Sequence, residues 1–390
     1  MNPNRIKLGI TLAGVLALVV LPVCAHAAAT AYTVTILGSL GGSNGSRAFG
    51  INAYGQVAGS SYTPGNATQE AVVWNVNAPG TPTVLTGAGG PGGSVATSIN
   101  ASGQIVGYSN NWRSGVDAVL WNLNTPSTPT ILGGLGGYAS QAYGINAYGQ
   151  VAGSSYTPGN AAVVAVVWNV NAPGTPTILG SLGGSPSVVA LSINASGQLA
   201  GFSDTAGNAT RNAVVWNVNA PGTPPVVLTG AGSNNSLAYG INDSGQVAGY
   251  SYAADNVTPK AVLWNLNTPS TRTMLGSLAG YSSQAFAINA SGQVVGNSYT
   301  TADGHSHGFL YTNGAMYDLN NLLVAGSGVT DIDLSNCGNS INDLGQIAAN
   351  GTYNGIYVAV VLTPTPEPAS ALLLLGSGAM LLLRRRRSVV

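Results

Sequence analysis

The stretch Arg47-Ala48-Phe49-Gly50-Ile51-Asn52-Ala53-Tyr54-Gly55-Gln56-Val57-Ala58-Gly59-Ser60 holds two short runs on either side of a four-residue break. Asn52 can fold its side chain onto its own backbone, and Gly55 can take the positive φ that closes a tight hairpin. The flanking runs, Arg47 to Asn52 and Gln56 to Ser60, therefore read as paired antiparallel strands. Ala71 to Trp74 follows as a third strand, apolar throughout and so expected to be covered on both faces. Thr81 to Leu85 makes a fourth, with Pro82 marking a strand start or an edge.

Working outward, Ile-Asn-x-x-Gly-Gln recurs seven times, its isoleucine at Ile51, Ile99, Ile145, Ile193, Ile241, Ile288 and Ile341, at spacings of 48, 46, 48, 48, 47 and 53. The turn residues are Asn52 and Gly55, Asn100 and Gly103, Asn146 and Gly149, Asn194 and Gly197, Asn242 and Gly245, Asn289 and Gly292, and Asn342 and Gly345. Ala-Val-Val-Trp-Asn or Ala-Val-Leu-Trp-Asn follows in the first five repeats, with its tryptophan at Trp74, Trp121, Trp168, Trp216 and Trp264. Repeats one and three share the string Ser-Ser-Tyr-Thr-Pro-Gly-Asn, from Ser60 and from Ser154, which points to late duplication of a two-repeat block. No stretch between residues 28 and 365 shows sustained helical periodicity.

A period of about 47 residues with four strands is that of a β-propeller blade, and an open β-solenoid is the competing architecture. The chain ends discriminate. The repeats open on an orphan strand of the fourth type, Tyr32 to Leu37, and close on a third-type strand, Tyr357 to Leu362, with no fourth after it. In a ring the orphan supplies the missing strand; in a solenoid both ends stay ragged. The expectation is an all-β, seven-bladed β-propeller over residues 28–363, closed by its N-terminal strand.

The repeats also resemble a known family. Ser-x-Ala-x-Gly-Ile-Asn-x-x-Gly-Gln-x-x-Gly, then His-Ala-Phe-Leu-Trp, then Leu-Gly-x-Leu-Gly-Gly is similar to the HAF repeat of extracellular bacterial proteins. The best single match is His307-Gly308-Phe309-Leu310-Tyr311 followed by Met316-Tyr317-Asp318-Leu319-Asn320. The first five repeats replace the histidine by Ala-Val-Val-Trp or Ala-Val-Leu-Trp, so repeat chemistry does not depend on it. The resemblance implies architecture and export, and brings no activity with it.

Both ends read as addresses. Arg5 and Lys7, the apolar run Leu8 to Val23 and Ala25-His26-Ala27 form the three parts of a secretory signal peptide over residues 1–27. At the other end, a Pro-rich linker at 364–368 carries Pro366-Glu367-Pro368, and residues 369–390 hold an apolar helix, Ala369 to Leu383, then Arg384, Arg385, Arg386 and Arg387. An apolar helix backed by arginines should stop in the inner membrane with the basic cluster in the cytoplasm. This tail resembles the PEP-CTERM sorting signal of exported Gram-negative bacterial proteins. That likeness implies an exosortase-type sorting protease as partner, with the mature domain released to the cell surface or medium.

Charged residues make up 6% of the chain, with 11 basic and 11 acidic. Six of the basic ones lie in the two addresses, so residues 28–365 keep five basic against ten acidic, net −5. Such a domain does not suit nucleic acid, and it offers few titratable groups for catalysis. Cys24 falls in the signal peptide, leaving Cys337 as the mature thiol, so no internal disulfide can form.

Several residues are candidates for more than folding. Gln56, Gln104, Gln150, Gln198, Gln246, Gln293 and Gln346 follow the turn glycines and are expected to satisfy backbone groups, or else to form a polar ring that binds sugars or ions. Trp112, in Ser109-Asn110-Asn111-Trp112-Arg113, lies outside the repeat pattern on an expected loop and is the best exposed contact residue. Asp303, His305 and His307 offer mixed metal ligands within five residues, without a supporting Cys or carboxylate cluster, and no cofactor is expected. The function expected is a non-enzymatic, monomeric surface or matrix propeller, structural or ligand-binding, with extracellular polysaccharide as a possible ligand. The alternative is a polysaccharide lyase or hydrolase, which would need two or three of Asp204, Asp243, Asp303, Asp331 and Asp333 to converge.

Overall fold

A computed structural model describes residues 30–89, 92–112, 115–229, 235–301, 304–335 and 338–366. The expected signal peptide, Cys337, Asp303 and the tail from Glu367 onward, including Pro368 and Arg384 to Arg387, lie outside the described residues; Pro366 is the last one inside. Among the described residues no helix is long and apolar enough to cross a membrane.

The chain is an all-β propeller. In the first repeat, strands at Ser46–Ile51, Gln56–Tyr62, Gln69–Asn75 and Ala78–Val84 pair in sequence order, all antiparallel. Hairpin after hairpin at a period near 47 residues leaves each sheet one buried face toward each neighbour. Five sheets stand as separate four-stranded blades. The third and fourth repeats share an eight-stranded sheet, whose halves are joined by one parallel pair, Val163 and Ser187.

The last sheet has the order Tyr32–Ile36, Ile356–Pro364, Ile347–Tyr353, Val329–Asp333. The first strand of the chain thus pairs with the last, from Tyr32↔Pro364 to Ile36↔Val360, and Thr365 N–H donates to the Ala31 carbonyl at 2.8 Å. Tyr32 is fully buried in this clasp, and burial pushes its hydroxyl up to about 12. The last strand, expected over Tyr357 to Leu362, runs from Ile356 to Pro364.

In six repeats the first strand carries a register irregularity at one equivalent point, between Ala48 and Gly50 in the first repeat and between Ala285 and Ala287 in the sixth. Such bulges increase local twist. A small residue follows each one because the neighbouring first strand passes close by: a Cβ on Gly50 would sit 3.1 Å from the Thr97 carbonyl.

The five repeat tryptophans are 0–3% exposed and pack between repeats. Trp74 lies among Ile51 and Val57 of its own repeat and Ala348, Ala359 and Val361 of the last sheet. Each indole N–H donates at 2.6–3.1 Å to a carbonyl of the connector entering its sheet: Gly38, Thr86, Gly133, Gly180 and Thr229. The polar atom of a buried aromatic is thereby satisfied while its rings fill the interface. Three of the fourth strands are only two residues long, Thr130–Ile131, Thr177–Ile178 and Val226–Val227, each preceded by Pro129, Pro176 or Pro225. Proline and brevity blunt an outer edge that would otherwise template further strands.

Candidate functional site

In the first six repeats the first strand runs into its Asn-x-x-Gly turn, and a circle of hydrogen bonds joins the seventh turn to them, so these turns share one face of the disc. The loops between second and third strands must then lie on the opposite face. The two faces carry different chemistry.

On the turn face the asparagines do more than make turns. Each is 3–6% exposed. Its Oδ1 accepts from the glutamine N–H four residues on at 2.8–3.0 Å. Its Nδ2 donates to the backbone carbonyl of the asparagine in the next repeat at 2.9–3.1 Å, from Asn52→Asn100 through Asn289→Asn342, and Asn342 donates back to Asn52. The seven asparagines form a closed circle. The glutamines differ from expectation. Their Oε1 atoms accept the second Nδ2 hydrogen of the asparagine at 2.7–2.9 Å, so they orient that amide rather than satisfy backbone.

Inside this circle is a cavity of about 270 Å³ lined by most of the repeat isoleucines and asparagines, though not Ile99, Asn52 or Asn100, with Asp243, Asp343 and Asn339. Asp243 and Asp343 accept the Ala195 and Ala290 N–H groups of the preceding repeats, at 2.7 and 2.8 Å. The channel is blocked by part of the long seventh repeat. Asn339 accepts from Ile51 N–H at 3.0 Å and donates to Ser98, Ser340 donates to the Phe49 carbonyl, and a Cβ on Gly338 would lie 2.6 Å from the Tyr239 carbonyl and 2.7 Å from Ser192. Asn297 anchors the near end by two bonds to Leu334. The 53-residue spacing is the sequence trace of this plug.

On the loop face, four repeats share a related loop design. In the first, third and fourth, a 3-10 turn at Pro64–Asn66, Pro158–Asn160 or Ala206–Asn208 follows a threonine that bonds back across the loop. In the fifth, Asp255 does so by accepting from Val257, Thr258 N–H and Thr258 hydroxyl, which holds its carboxyl at about 2. The second repeat departs. Asn111 closes a shorter loop by accepting from Gly115 N–H and donating to Asp117, and Trp112 stands at the tip, 76% exposed. It borders a cleft of about 440 Å³ reaching the third repeat, whose other wall is Tyr138 and Tyr156. Those rings lie 4.5 Å apart, tilted by 43°, and the hydrogen bond between their side chains raises the Tyr156 hydroxyl. Asn110, Asn111 and Gln141 supply amides at the floor and rim. None of the described lining residues is charged.

Of the five acids an enzyme would need to bring together, Asp303 lies outside the described residues and the other four are not gathered in one cleft. Asp204 pairs with Arg211 at 2.8 Å. Asp243 sits at the channel mouth. Asp331 is exposed and bonds Thr330, while Asp333 accepts from Tyr357 and Asn350. Burial pushes the Asp333 carboxyl up, against those hydrogen bonds. Of the candidate metal ligands, Asp303 lies outside the described residues. His307 Nδ1 bonds Asp318 at 2.7 Å, Asp318 also caps the helix Leu319–Leu322, and no group of three metal-ligating side chains occurs among the described residues.

A family model described as a protein of unknown function (DUF3466) matches residues 185–359. No curated protein matches the chain. Among solved structures the chain is similar to a TolB of Agrobacterium tumefaciens, at 10% identity and TM-score 0.45, over 68% of this chain and 89% of that one. It is similar to Trypanosoma rangeli sialidase at 12% identity and TM-score 0.41, over 82% of this chain and 55% of the other. A third is Aleuria aurantia lectin in complex with α-methyl-L-fucoside, at 12% identity and TM-score 0.38, over 74% and 95%. The propeller assignment rests on the strand order and the closed hydrogen-bond circle, not on these likenesses.

Proposed function

We propose that the chain is an exported, non-enzymatic propeller of the cell surface or extracellular matrix that binds neutral carbohydrate through the Trp112 cleft. The observation that carries this reading is internal to the molecule. Four repeats fold the equivalent loop onto itself, and the second instead raises an exposed indole opposite a tyrosine pair. An exposed aromatic beside uncharged amides and hydroxyls suits a sugar ring, with its apolar face and rim of hydroxyls. Dispersal of the acids favours binding over glycoside hydrolysis, which needs two carboxyl groups about 5–10 Å apart.

The eight-stranded sheet is best taken as two blades joined by one bridge, which makes the ring seven-bladed. The single Val163↔Ser187 pair and the seven-membered asparagine circle support that count. The signal-like N-terminus and the Pro366-Glu367-Pro368 tail support export through a membrane-anchored stage and an exosortase-type protease as partner. A glycan array probed with the full chain tests the cleft. Trp112→Ala should abolish or reduce at least tenfold any signal found, with an unchanged melting temperature. Equal binding by the variant, or product release from the bound glycan, would sink this reading.

A further inference from the structure

The Trp112 cleft has a counterpart two repeats on. Asn110 pairs with Val116 at the base of the second repeat's loop, and Asp204 pairs with Arg211 at the base of the fourth's. Across each gap, Tyr156 and Tyr252 end the matching second strands of the third and fifth repeats. There a second cleft of about 430 Å³ opens, lined by Asp204, Asn208, Arg211, Asn235, Tyr250 and Tyr252. The interface between the two clefts is different, because Val163↔Ser187 joins the third and fourth repeats into one sheet. One bridged interface is thus flanked by two open ones on the same face. At the next interface, between the fifth and sixth repeats, Lys260 Nζ reaches the Tyr281 carbonyl and ties the walls together.

The second cleft has matching chemistry. Arg211 spends two of its N–H groups on Asp204, at 2.8 and 3.2 Å, and lies 4.3 Å from the Phe202 ring centroid. The pair is neutral overall, and a guanidinium carries five N–H donors in a planar fork, suited to hydroxyl oxygens. Tyr250 and Tyr252 meet edge to face with centroids 5.8 Å apart, forming the aromatic wall. Loop shape separates the two clefts in detail, but both are uncharged in sum, aromatic on one side and rich in amides.

We infer that the two clefts are paired subsites for one neutral polysaccharide chain lying across the loop face. This rests on the carbohydrate reading of the Trp112 cleft. A single sugar occupies one cleft at a time; a polymer engages both, and the second contact is then intramolecular, which multiplies affinity without new chemistry.

Calorimetric titration of the full chain tests this, using dextran, galactomannan, xyloglucan and β-1,3-glucan, each as polymer and as trisaccharide. For at least one of them the polymer should bind ten- to a hundredfold tighter than its trisaccharide at equal sugar concentration. The double variant D204N/R211Q removes the ion pair without stranding either partner, and should bring polymer affinity down to the trisaccharide level. Trisaccharide binding, which reports the Trp112 cleft, should hold. Tyr252→Ala, on the opposite wall, should do the same should the double variant fail to fold. If Trp112→Ala abolishes binding while both second-cleft variants hold polymer at wild-type affinity, the pairing is wrong and the single-cleft reading stands. If none of the four polymers binds the wild-type chain, both fall.

Discussion

Asn194 shows how much one side chain does here. It closes its own turn, receives Gln198 N–H, and reaches the Asn242 carbonyl of the next repeat. Asn194→Ala would strand the Gln198 N–H and amide oxygen and leave the Asn242 carbonyl with the Gly245 N–H alone, at 3.2 Å. We expect it to cost roughly 2–4 kcal/mol, well above a typical hydrogen-bond deletion, whereas Ser196→Ala in the same turn should change stability by under about 0.5 kcal/mol. Chemical denaturation of both variants checks the contrast. The circle was half legible in the sequence. Asn-x-x-Gly announces a turn wherever it occurs, but a donor aimed at a neighbour 46–53 residues away is invisible until the repeats are placed side by side.

Asp333 carries the residue-scale pH dependence. Burial lifts its carboxyl above the unfolded value, so its protonated form is the one the fold favours. The corresponding stability is fully present below the unfolded carboxylate pKa and is lost as pH rises through the raised folded one. Asp333→Asn, which can still accept from Tyr357, should therefore match the wild type near pH 3 and be the more stable protein at pH 7. Melting curves of the two proteins across that range decide it, and a variant less stable at pH 7 would contradict the assignment.

Among elements, the strands were the most legible and the plug the least. The run Ala71 to Trp74 was expected to be covered on both faces and is fully buried; the hairpins close at the expected turns. The excess length of the seventh repeat was visible only as a spacing. Nothing in Leu334, Ser335, Gly338, Asn339 and Ser340 says that they fold inward, because that depends on a channel made by the other repeats. Likewise Trp112 could be singled out from its own repeat, but Tyr138 and Tyr156 could not, since they meet it across an interface. The plug leads to a prediction. Gly338→Ala places a methyl within 3 Å of the Tyr239 carbonyl and Ser192, and overpacking of this kind costs about 1–3 kcal/mol. Hydrogen exchange should show faster exchange of the Ile51 amide, which the Asn339 carbonyl accepts in the wild type.

For the whole molecule, the clasp tests whether the repeats act as a ring. The strand Tyr32–Ile36 spans the join between the ends of the chain, and Leu37 just after it packs with Trp74. Deleting residues 28–42 should lower the melting midpoint by more than about 10 °C, since each kcal/mol is worth a few degrees in a domain this size. Removing the Trp112 loop tip should barely move it. A truncation that melts like the full chain would mean an open array. The low charge of the domain fits this design: its polar groups are amides and hydroxyls committed to turns and interfaces, and solubility falls to the Asn, Ser, Thr and Gly of the loops.

The asparagine circle is homodromic: every amide donates in the same rotational sense, like a ring of dancers each holding the shoulder ahead. The in-plane components of its amide dipoles circulate and sum to zero around the ring. Because each link is the same, the lock also closes for any number of members. What fixes the count must be the wedge shape of the repeats, and a chain gaining or losing one would keep every bond of the circle while straining the packing around it.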